Sequence, residues 1–352
     1  MANVLEEWKA TSSLLSGGAS SGASTIIVGK YMYYIAGQNA SGTLANVQFS
    51  LINEDGSLDG WQWTTSLPKV RTYGKAFTHD GYLFYSGGFD TISVNEEIYR
   101  ANIDTDGSIT AWTQSRDLPY ATAFHSIVVS GYCVYLCGGS DASFDSVNYT
   151  YYTFIYNGVI YPWVRIANLN TAKRSHASLV SSYRYIYALA GIVYDGGSAE
   201  YAKIQSTGDL STWAVEGDNT PGIIGDAVID SNDNIFFPKY GTSKIYRAPA
   251  EIYGTIGAWE EDLVAPFTSI GQIVYDAGYV YILKGSVYYS FTIGYVTPVI
   301  PEEVVDDIIV MEESRKESSK EKRQDSKSKY KGKIIGNNEK VMNYNNPLKY
   351  LE

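Results

Sequence analysis

Residues 106–112 read DGSITAW, and residues 55–61 read DGSLDGW, a near copy of the same stretch. A repeat must be recognised first, because missing one leads to the wrong fold. The tryptophans that end these stretches belong to a series spaced by 46 to 53 residues along the chain. The members of the series are Trp8, Trp61, Trp112, Trp163, Trp213 and Trp259, with one extra tryptophan at Trp63.

A second marker, a glycine after an apolar, tyrosine-rich run, repeats with the same spacing. It occurs at Gly37, Gly88, Gly139, Gly191 and Gly285, whereas the fifth copy, IFFPK at residues 235–239, has lost it. A turn sequence such as EDGS at 54–57 or TDGS at 105–108 lies between the glycine and the tryptophan. Asp-Gly and related pairs supply the positive φ angles of tight hairpins, so each repeat contains a hairpin before its tryptophan.

Each repeat is predicted to contain four strands. In the second repeat we place them at residues 74–79, 82–86, 96–103 and 111–115, in segments rich in Tyr, Ile, Val, Phe and Thr that alternate with period two. No trustworthy helical periodicity occurs before residue 300. Four strands per unit of this length predict a β-propeller blade, with a solenoid as the competing fold.

The two ends of the repeat region favour a closed ring over a solenoid. The last repeat has three strands, near 270–275, 279–284 and 287–293, and the chain begins with an orphan strand around Trp8. Pairing the orphan with the last repeat would complete a blade and remove exposed sheet edges. We therefore predict six blades, five within residues 23–269 and one made of 270–297 plus 5–13.

The repeats resemble kelch repeats. The residues that carry the resemblance are Gly87, Gly88, Tyr99 and Trp112 in the second repeat, and Gly138, Gly139, Tyr152 and Trp163 in the third. The interval from Tyr to Trp is longer than in the usual kelch repeat. The resemblance covers residues 5–297 and implies that the segments FHSIVV and SHASLV line a central channel. The DGS…W…LP variant is similar to kelch propellers of bacterial surface proteins and of tailed-phage structural proteins.

The fold class is therefore all-β: a six-bladed kelch-like β-propeller of four-stranded antiparallel blades, with the ring closed by the N-terminal strand. The predicted domains are the propeller, residues 1–297, and an extended C-terminal tail, residues 298–352. Residues 314–333 of the tail carry 9 basic and 3 acidic side chains, and such a segment cannot fold alone. Apolar stretches, VVDDIIVM and NPLKYL, flank it. We consider both a disordered tail and an anchor arm that orders on a partner.

Charge and composition restrict the partners. The net charge is −11, and it belongs entirely to the propeller, because residues 301–352 hold 11 basic and 11 acidic side chains. An acidic propeller without a basic stripe argues against nucleic acid as the partner. The chain has 32 tyrosines against 11 phenylalanines. They suit half-buried strands, and a sugar- or protein-binding face is the alternative interpretation.

The expected compartment follows from the cysteines and the N-terminus. Cys133 and Cys137 face one side of a strand about 13 Å apart, which is too far for a disulfide. The start, MANVLEEW, lacks the pattern of a signal peptide, and no membrane insertion is expected. We expect synthesis in a host cytoplasm and a final place in a virion, with the cytoplasm or a cell surface as alternatives.

Candidate site residues cluster at one channel mouth. Arg71, His125, Lys173, Arg174 and His176 all lie near the loops that enter the inner strands, and together they could hold an anionic sugar. His125 and His176 occupy equivalent places in neighbouring repeats, but a metal site needs three or four converging ligands. We expect no catalytic residue, no metal and no cofactor. The copper site of galactose oxidase is not matched, because neither cysteine lies beside a suitable pair of histidines.

The sequence predicts a non-enzymatic binding or structural module of a larger particle. A tailed-phage virion component, in the tail, fibre, neck or head decoration, fits best. Its expected partners are other structural proteins, bound through residues 298–352, and a host surface glycan or receptor, bound through the propeller loops. One alternative is a bacterial surface or cytosolic protein-protein adaptor. Another is a sugar-binding or sialic acid mutarotase-like propeller enzyme.

Overall fold

The structure is a computed structural model of the whole chain. It describes residues 5–170, 176–182, 184–191, 198–217, 220–222, 226–268 and 270–292. The described residues form strands and turns, and no helix that could cross a membrane occurs among them. The predicted boundary at residue 297 and the tail at 298–352 lie outside the described residues, so both stay predictions.

Each blade is an antiparallel sheet whose strands follow one another from the inner to the outer edge. Blade 1 comprises Ser24–Val28, Tyr31–Ile35, Val47–Leu51 and Gln62–Thr64. Blade 2 comprises Lys75–His79, Tyr82–Ser86, Ile98–Ile103 and Ile109–Gln114. Blade 3 comprises Ser126–Ser130, Cys133–Cys137, Thr150–Tyr156 and Val164–Arg165, and its hairpin adds the short strand Val159–Ile160.

The second half of the ring repeats this order. Blade 4 comprises Ser178–Ser181, Tyr185–Leu189, Ala199–Lys203 and Ala214–Gly217. Blade 5 comprises Val228–Ile229, Asn234–Pro238, Ile245–Pro249 and Glu260–Glu261. Blade 6 comprises Gln272–Asp276, Tyr279–Lys284, Ser286–Phe291 and, from the start of the chain, Lys9–Ala10. Two further short strands, Gln38–Asn39 and Gly42–Thr43, pair with each other in the loop between the second and third strands of blade 1.

The ring closes as predicted. Each inner strand contacts the inner strands of both neighbouring blades, including Ser24–Val28 of blade 1 against Gln272–Asp276 of blade 6. The N-terminal strand pairs with the last strand of the chain, with Lys9 opposite Tyr289 and Ala10 opposite Tyr288. The six-bladed fold and its closure by the N-terminal strand are therefore confirmed.

The predicted strand bounds of blade 2 need small corrections. The third strand begins at Ile98 rather than at residue 96, and the fourth begins at Ile109 rather than at 111. Glu97, whose carboxylate binds Lys69 and Arg71, lies just before the third strand. Ile109 joins the fourth strand because it pairs with Ile103, beyond an irregularity in register after Asn102.

An apolar residue three positions before each tryptophan joins the blades. All six are buried: Leu5, Leu58, Ile109, Ile160, Leu210 and Ile256. Four of the tryptophans also reach back to the preceding blade, where the indole Nε1 donates to a backbone carbonyl. The pairs are Trp61 to Ser12, Trp112 to Thr65, Trp163 to Asp117 and Trp213 to Ala167, at 2.9–3.1 Å. At these four positions the repeating tryptophan thus connects one blade to the next, whereas the Nε1 atoms of Trp8 and Trp259 have no such hydrogen bond.

The hairpin glycines receive a second connection between blades. The hydroxyl of Tyr33 in blade 1 donates to the carbonyl of Gly107 in blade 2 at 2.7 Å. A Cβ on Gly107 would lie 2.5 Å from the ring of Tyr31, and its φ is +85°. This position therefore requires glycine for both its conformation and the close approach of the neighbouring blade.

Candidate functional site

The candidate site lies on one face of the ring, which we call the upper face. It carries the loops that lead into the inner strands and the loops that join the second and third strands of each blade. Antiparallel strands place these two sets of loops at the same end of every blade, and the hairpins before the outer strands at the opposite end, the lower face. Binding residues commonly lie on loops that a rigid scaffold presents in this way.

Arg71 is part of the framework of the upper face. Its side chain is 1% exposed, and its guanidinium Nη2 lies 2.7 Å from Oε2 of Glu97. Nη1 lies 3.8 Å from Oδ2 of Asp90. Burial opposes the lowering of the pKa of both carboxyls. Hydrogen bonds from the backbone N–H of Ser93 and Ile92 and from Asn95, and then the charge of Arg71, lower the pKa of Asp90. The hydrogen bond from Lys69 and the charge of Arg71 lower the pKa of Glu97. Arg71 therefore ties the loop entering blade 2 to the loop within blade 2.

His125 is a buried neutral side chain. Its Nε2 lies 2.9 Å from Oγ of Ser86 in the neighbouring blade. Burial, with a further contribution from the positive charge of Lys75, lowers the pKa of His125 to about 3. A catalytic acid or base works best when its pKa lies near the operating pH. At neutral pH, His125 is therefore suited to packing between blades 2 and 3.

His176 belongs to an aromatic cluster with Tyr73 and Phe124. The ring centroids of Tyr73 and Phe124 are 4.2 Å apart, and those of Phe124 and His176 are 4.0 Å apart. All three residues are half-buried and precede the inner strands of blades 2, 3 and 4. Burial lowers the pKa of His176 to about 4, and Lys75 lowers it further while Asp226 raises it. The cluster presents neutral aromatic surface at the channel mouth.

An ion pair crosses the channel next to this cluster. Nζ of Lys75, the first residue of the inner strand of blade 2, lies 2.5 Å from Oδ1 of Asp226, which precedes the inner strand of blade 5. Blades 2 and 5 stand opposite each other in a six-bladed ring. Both side chains are about one quarter exposed, at 25% and 24%. The pair joins two opposite sides of the ring across the central channel.

Of the five predicted site residues, the structure places Arg71, His125 and His176, whereas Lys173 and Arg174 lie outside the described residues. Arg71 contacts Asp90 and Glu97, and His176 contacts Phe124. Within the described ranges, no group of three or more His, Cys, Asp or Glu side chains could hold a metal ion. The assignment of these residues to a ligand stays a prediction.

Sequence analysis missed Tyr73, Phe124, Lys75 and Asp226. The signal was present, because Tyr73, Phe124 and His176 align when the repeats are superimposed on their inner strands, and the same position in blade 1 is Gly22. No repeat pattern in the sequence predicted the contact between Lys75 and Asp226. Those two residues are 151 positions apart and meet because the ring brings their blades face to face.

Known proteins with similar sequences match parts of this chain. No protein-family model matches it. Beta-scruin of Limulus polyphemus is 27% identical over 175 residues, which is 48% of this chain and 19% of that protein. Kelch-like protein 36 of Bos taurus is 27% identical over 54% of this chain, and Kelch-like protein 15 of Danio rerio is 25% identical over 48%. Each alignment spans less than a third of the relative's own length.

A solved structure supports the architecture. The chain superimposes on the structure titled "Structure of YjhT" with a TM-score of 0.62, covering 79% of this chain and 96% of that one. The two sequences are 12% identical, so this likeness concerns the fold. The superposition agrees with the architecture described above.

Proposed function

We propose that this kelch-like β-propeller is a non-enzymatic binding or structural component of a larger protein particle, most specifically a tailed-phage virion. The proposal takes protein contacts as its main activity and the virion as its location. The sequence relatives are scruins and kelch-like proteins, which favours protein binding as the general role. The virion assignment rests on the DGS…W…LP resemblance.

The side chains at the channel mouth support the non-enzymatic part of the proposal. The Tyr73–Phe124–His176 cluster is aromatic, and Lys75 and Asp226 beside it are paired with each other. The pKa values of both histidines lie well below neutral pH, so neither is suited to proton transfer there. Recognition then falls to the surrounding loops, with His176 as a contact residue and with Arg71 and His125 as framework.

Residues 298–352 are the proposed anchor of the propeller in its particle. The segment combines two apolar stretches with a basic stretch, so it offers both hydrophobic and electrostatic contacts to a partner. The propeller itself completes its six blades with residues 5–292. Attachment and folding should therefore be separable.

Deleting residues 301–352 tests the proposal. We expect the truncated chain to keep the melting temperature of the full chain, because no blade loses a strand. We also expect it to be lost from particles purified after expression alongside the other particle proteins, as measured by quantitative mass spectrometry. A truncated chain that is incorporated normally would contradict the anchor role. A full chain that binds an array of glycans but no particle protein would contradict the structural role.

A further inference from the structure

Strained backbone is concentrated in one part of the upper face. Among the described residues, five with bulky side chains have positive φ angles, between 57° and 94°: Tyr73, Thr91, Phe124, Phe144 and His176. The other non-glycine residues with positive φ are alanines or the turn-forming Asp and Asn. Positive φ is uncommon for bulky residues and usually marks a position that the surrounding structure holds for a functional reason.

Two loops of the same region expose apolar side chains at their tips. Ile92 is 88% exposed and Phe144 is 53% exposed. A carboxylate holds each loop: Oδ1 of Asp90 accepts hydrogen bonds from the backbone N–H of Ile92 and Ser93, and Oδ1 of Asp141 accepts from the N–H of Ser143 and Asp145. Hydrogen bonds within each loop therefore fix the conformation that exposes these apolar side chains.

Phe144 connects to the aromatic cluster through Phe89, and Ile92 lies on the loop that carries Phe89. The rings of Phe89 and Phe144 meet edge to face with centroids 5.4 Å apart. Phe89 and Thr72 exchange two backbone hydrogen bonds, which brings the loop of blade 2 beside Tyr73. Tyr73 in turn packs on Phe124. We call the set Tyr73, Phe89, Ile92, Phe124, Phe144 and His176 the apolar upper surface.

The two loops that carry Ile92 and Phe144 are acidic. Residues 87–97 and 138–148 contain five acidic side chains and no Lys or Arg. The neighbouring Arg71 is buried, so it presents no charge to a partner. Lys69 is already paired with Glu97 at 2.6 Å. A partner that meets this side of the surface therefore encounters apolar and aromatic side chains beside an acidic rim formed by these two loops.

We propose that the apolar upper surface binds a protein segment in which apolar side chains are flanked by Lys or Arg. The apolar side chains would pack against Phe144, Ile92 and the aromatic cluster, and the basic ones would face the acidic rim. Rigid aromatic anchors surrounded by complementary charge are typical of the residues that dominate protein interfaces. The proposal rests on the protein-binding role proposed above and adds the place and the chemistry of the partner.

The test begins with a selection of short random-sequence peptides against the full-length chain. Synthetic copies of the enriched peptides are then measured by fluorescence anisotropy. We expect enrichment of aromatic or aliphatic residues next to Lys or Arg, and weaker binding at higher salt because the rim contributes electrostatically. Two variants, Phe144→Gly and Ile92→Ser, should each raise the Kd of these peptides by about tenfold or more.

Phe144→Gly also separates binding from folding. Glycine adopts a φ of +62° without strain, which offsets the lost ring contact with Phe89, so the variant should melt close to the natural chain while it loses affinity. Asn157→Gly is the matched control, since Asn157 is exposed at a φ of +48° in a hairpin of the lower face, and it should leave the Kd unchanged.

Several results would overturn the proposal. These are enriched peptides without basic residues, affinities unchanged by Phe144→Gly and Ile92→Ser, no peptide with a Kd below about 1 mM, or occupation of the surface by a glycan in place of a peptide. Peptides that bind but ignore both variants would refute this surface and leave the protein-binding role intact. Loss of that role would instead appear in the particle-incorporation experiment on the chain lacking residues 301–352.

Discussion

At the residue scale, burial decides what a polar side chain does in this protein. Arg71 and His125 were predicted beside a channel mouth from their places in the repeat, and the structure buries both. Arg71 holds Glu97 and Asp90, and His125 lies against Ser86. Arg and His are residue types that often bind ligands. Here burial and their contacts make Arg71 connect two loops and His125 connect two blades.

His125 should make the stability of the propeller depend on pH. Its pKa is about 3 in the fold and about 6.5 in an unfolded chain, so the unfolded chain takes up the proton first as pH falls. The contribution of His125 is therefore complete above about pH 6.5 and is lost toward about pH 3, with a slope of up to about 1.4 kcal/mol per pH unit. Urea unfolding of the natural chain and of His125→Gln measures it.

The His125→Gln variant cannot titrate, yet its amide can still reach Ser86. We expect its free energy of unfolding to fall less steeply than that of the natural chain between about pH 6 and about pH 4. Parallel curves for the two proteins would show that the burial of His125 has no such effect.

At the element scale, the strand-to-hairpin connection shows how one position serves several blades. Tyr135 donates to Gly208 at 2.7 Å, and Tyr281 donates to Gly56 at 3.0 Å, as Tyr33 does to Gly107. Blade 2 has Phe84 at the equivalent position. There Nη1 of Arg100 donates to the carbonyl of Gly158 at 3.1 Å. Both solutions satisfy a hairpin carbonyl that the neighbouring blade covers.

Tyr33→Phe should destabilise the junction between blades 1 and 2. The ring still fills its place, but the buried carbonyl of Gly107 loses its partner, which costs about 1–3 kcal/mol. Arg100→Met should produce a similar loss between blades 2 and 3. Chemical denaturation measures both, and Tyr240→Phe, at a side chain that is 64% exposed, is the control with an expected change near zero. Equal stability of Tyr33→Phe and the control would contradict the connection.

At the scale of the whole molecule, blade 6 is closed without a covalent hairpin. Leu5 is 2% exposed and packs in one cluster with Phe236 and Val280. Its backbone N–H donates to Oδ1 of Asp262 at 3.2 Å. In blade 5, Phe236 occupies the position that Tyr33 occupies in blade 1. The neighbouring blade 6 offers no hairpin carbonyl there, because its outer strand comes from the start of the chain. An apolar ring is therefore suitable at this position.

Leu5→Ala and Leu58→Ala compare this closure with a covalent one. The two leucines occupy equivalent places, so each substitution removes a similar buried side chain, at a cost of about 2–5 kcal/mol. Residue 58 is tethered by its hairpin, whereas residue 5 is held by packing and hydrogen bonds alone. Under limited proteolysis, we expect cleavage within residues 1–15 of Leu5→Ala well before the ring unfolds, and no early cleavage near residue 58 in Leu58→Ala. Equal protection of both segments would contradict this difference.

The sequence by itself determined the blades, their number and the partners of their strands. Tryptophans, glycines and hairpin sequences repeat at regular intervals, and a repeating pattern reports local structure that each unit forms in the same way. The orphan strand around Trp8 even predicted the ring closure, because an incomplete last repeat and an unmatched first strand complete each other.

Only the tertiary structure decided which polar residues are buried and which residues of different blades meet on the upper face. Lys75 forms an ion pair with Asp226 across the ring. Arg71 is buried against Glu97 in the loop of blade 2. The rings of Phe89 and Phe144, from neighbouring blades, are in contact. Each of these contacts joins different blades or separate loops. Periodicity describes what one repeat has in common with the next, whereas these contacts depend on where the repeats differ and on how the ring brings those differences together.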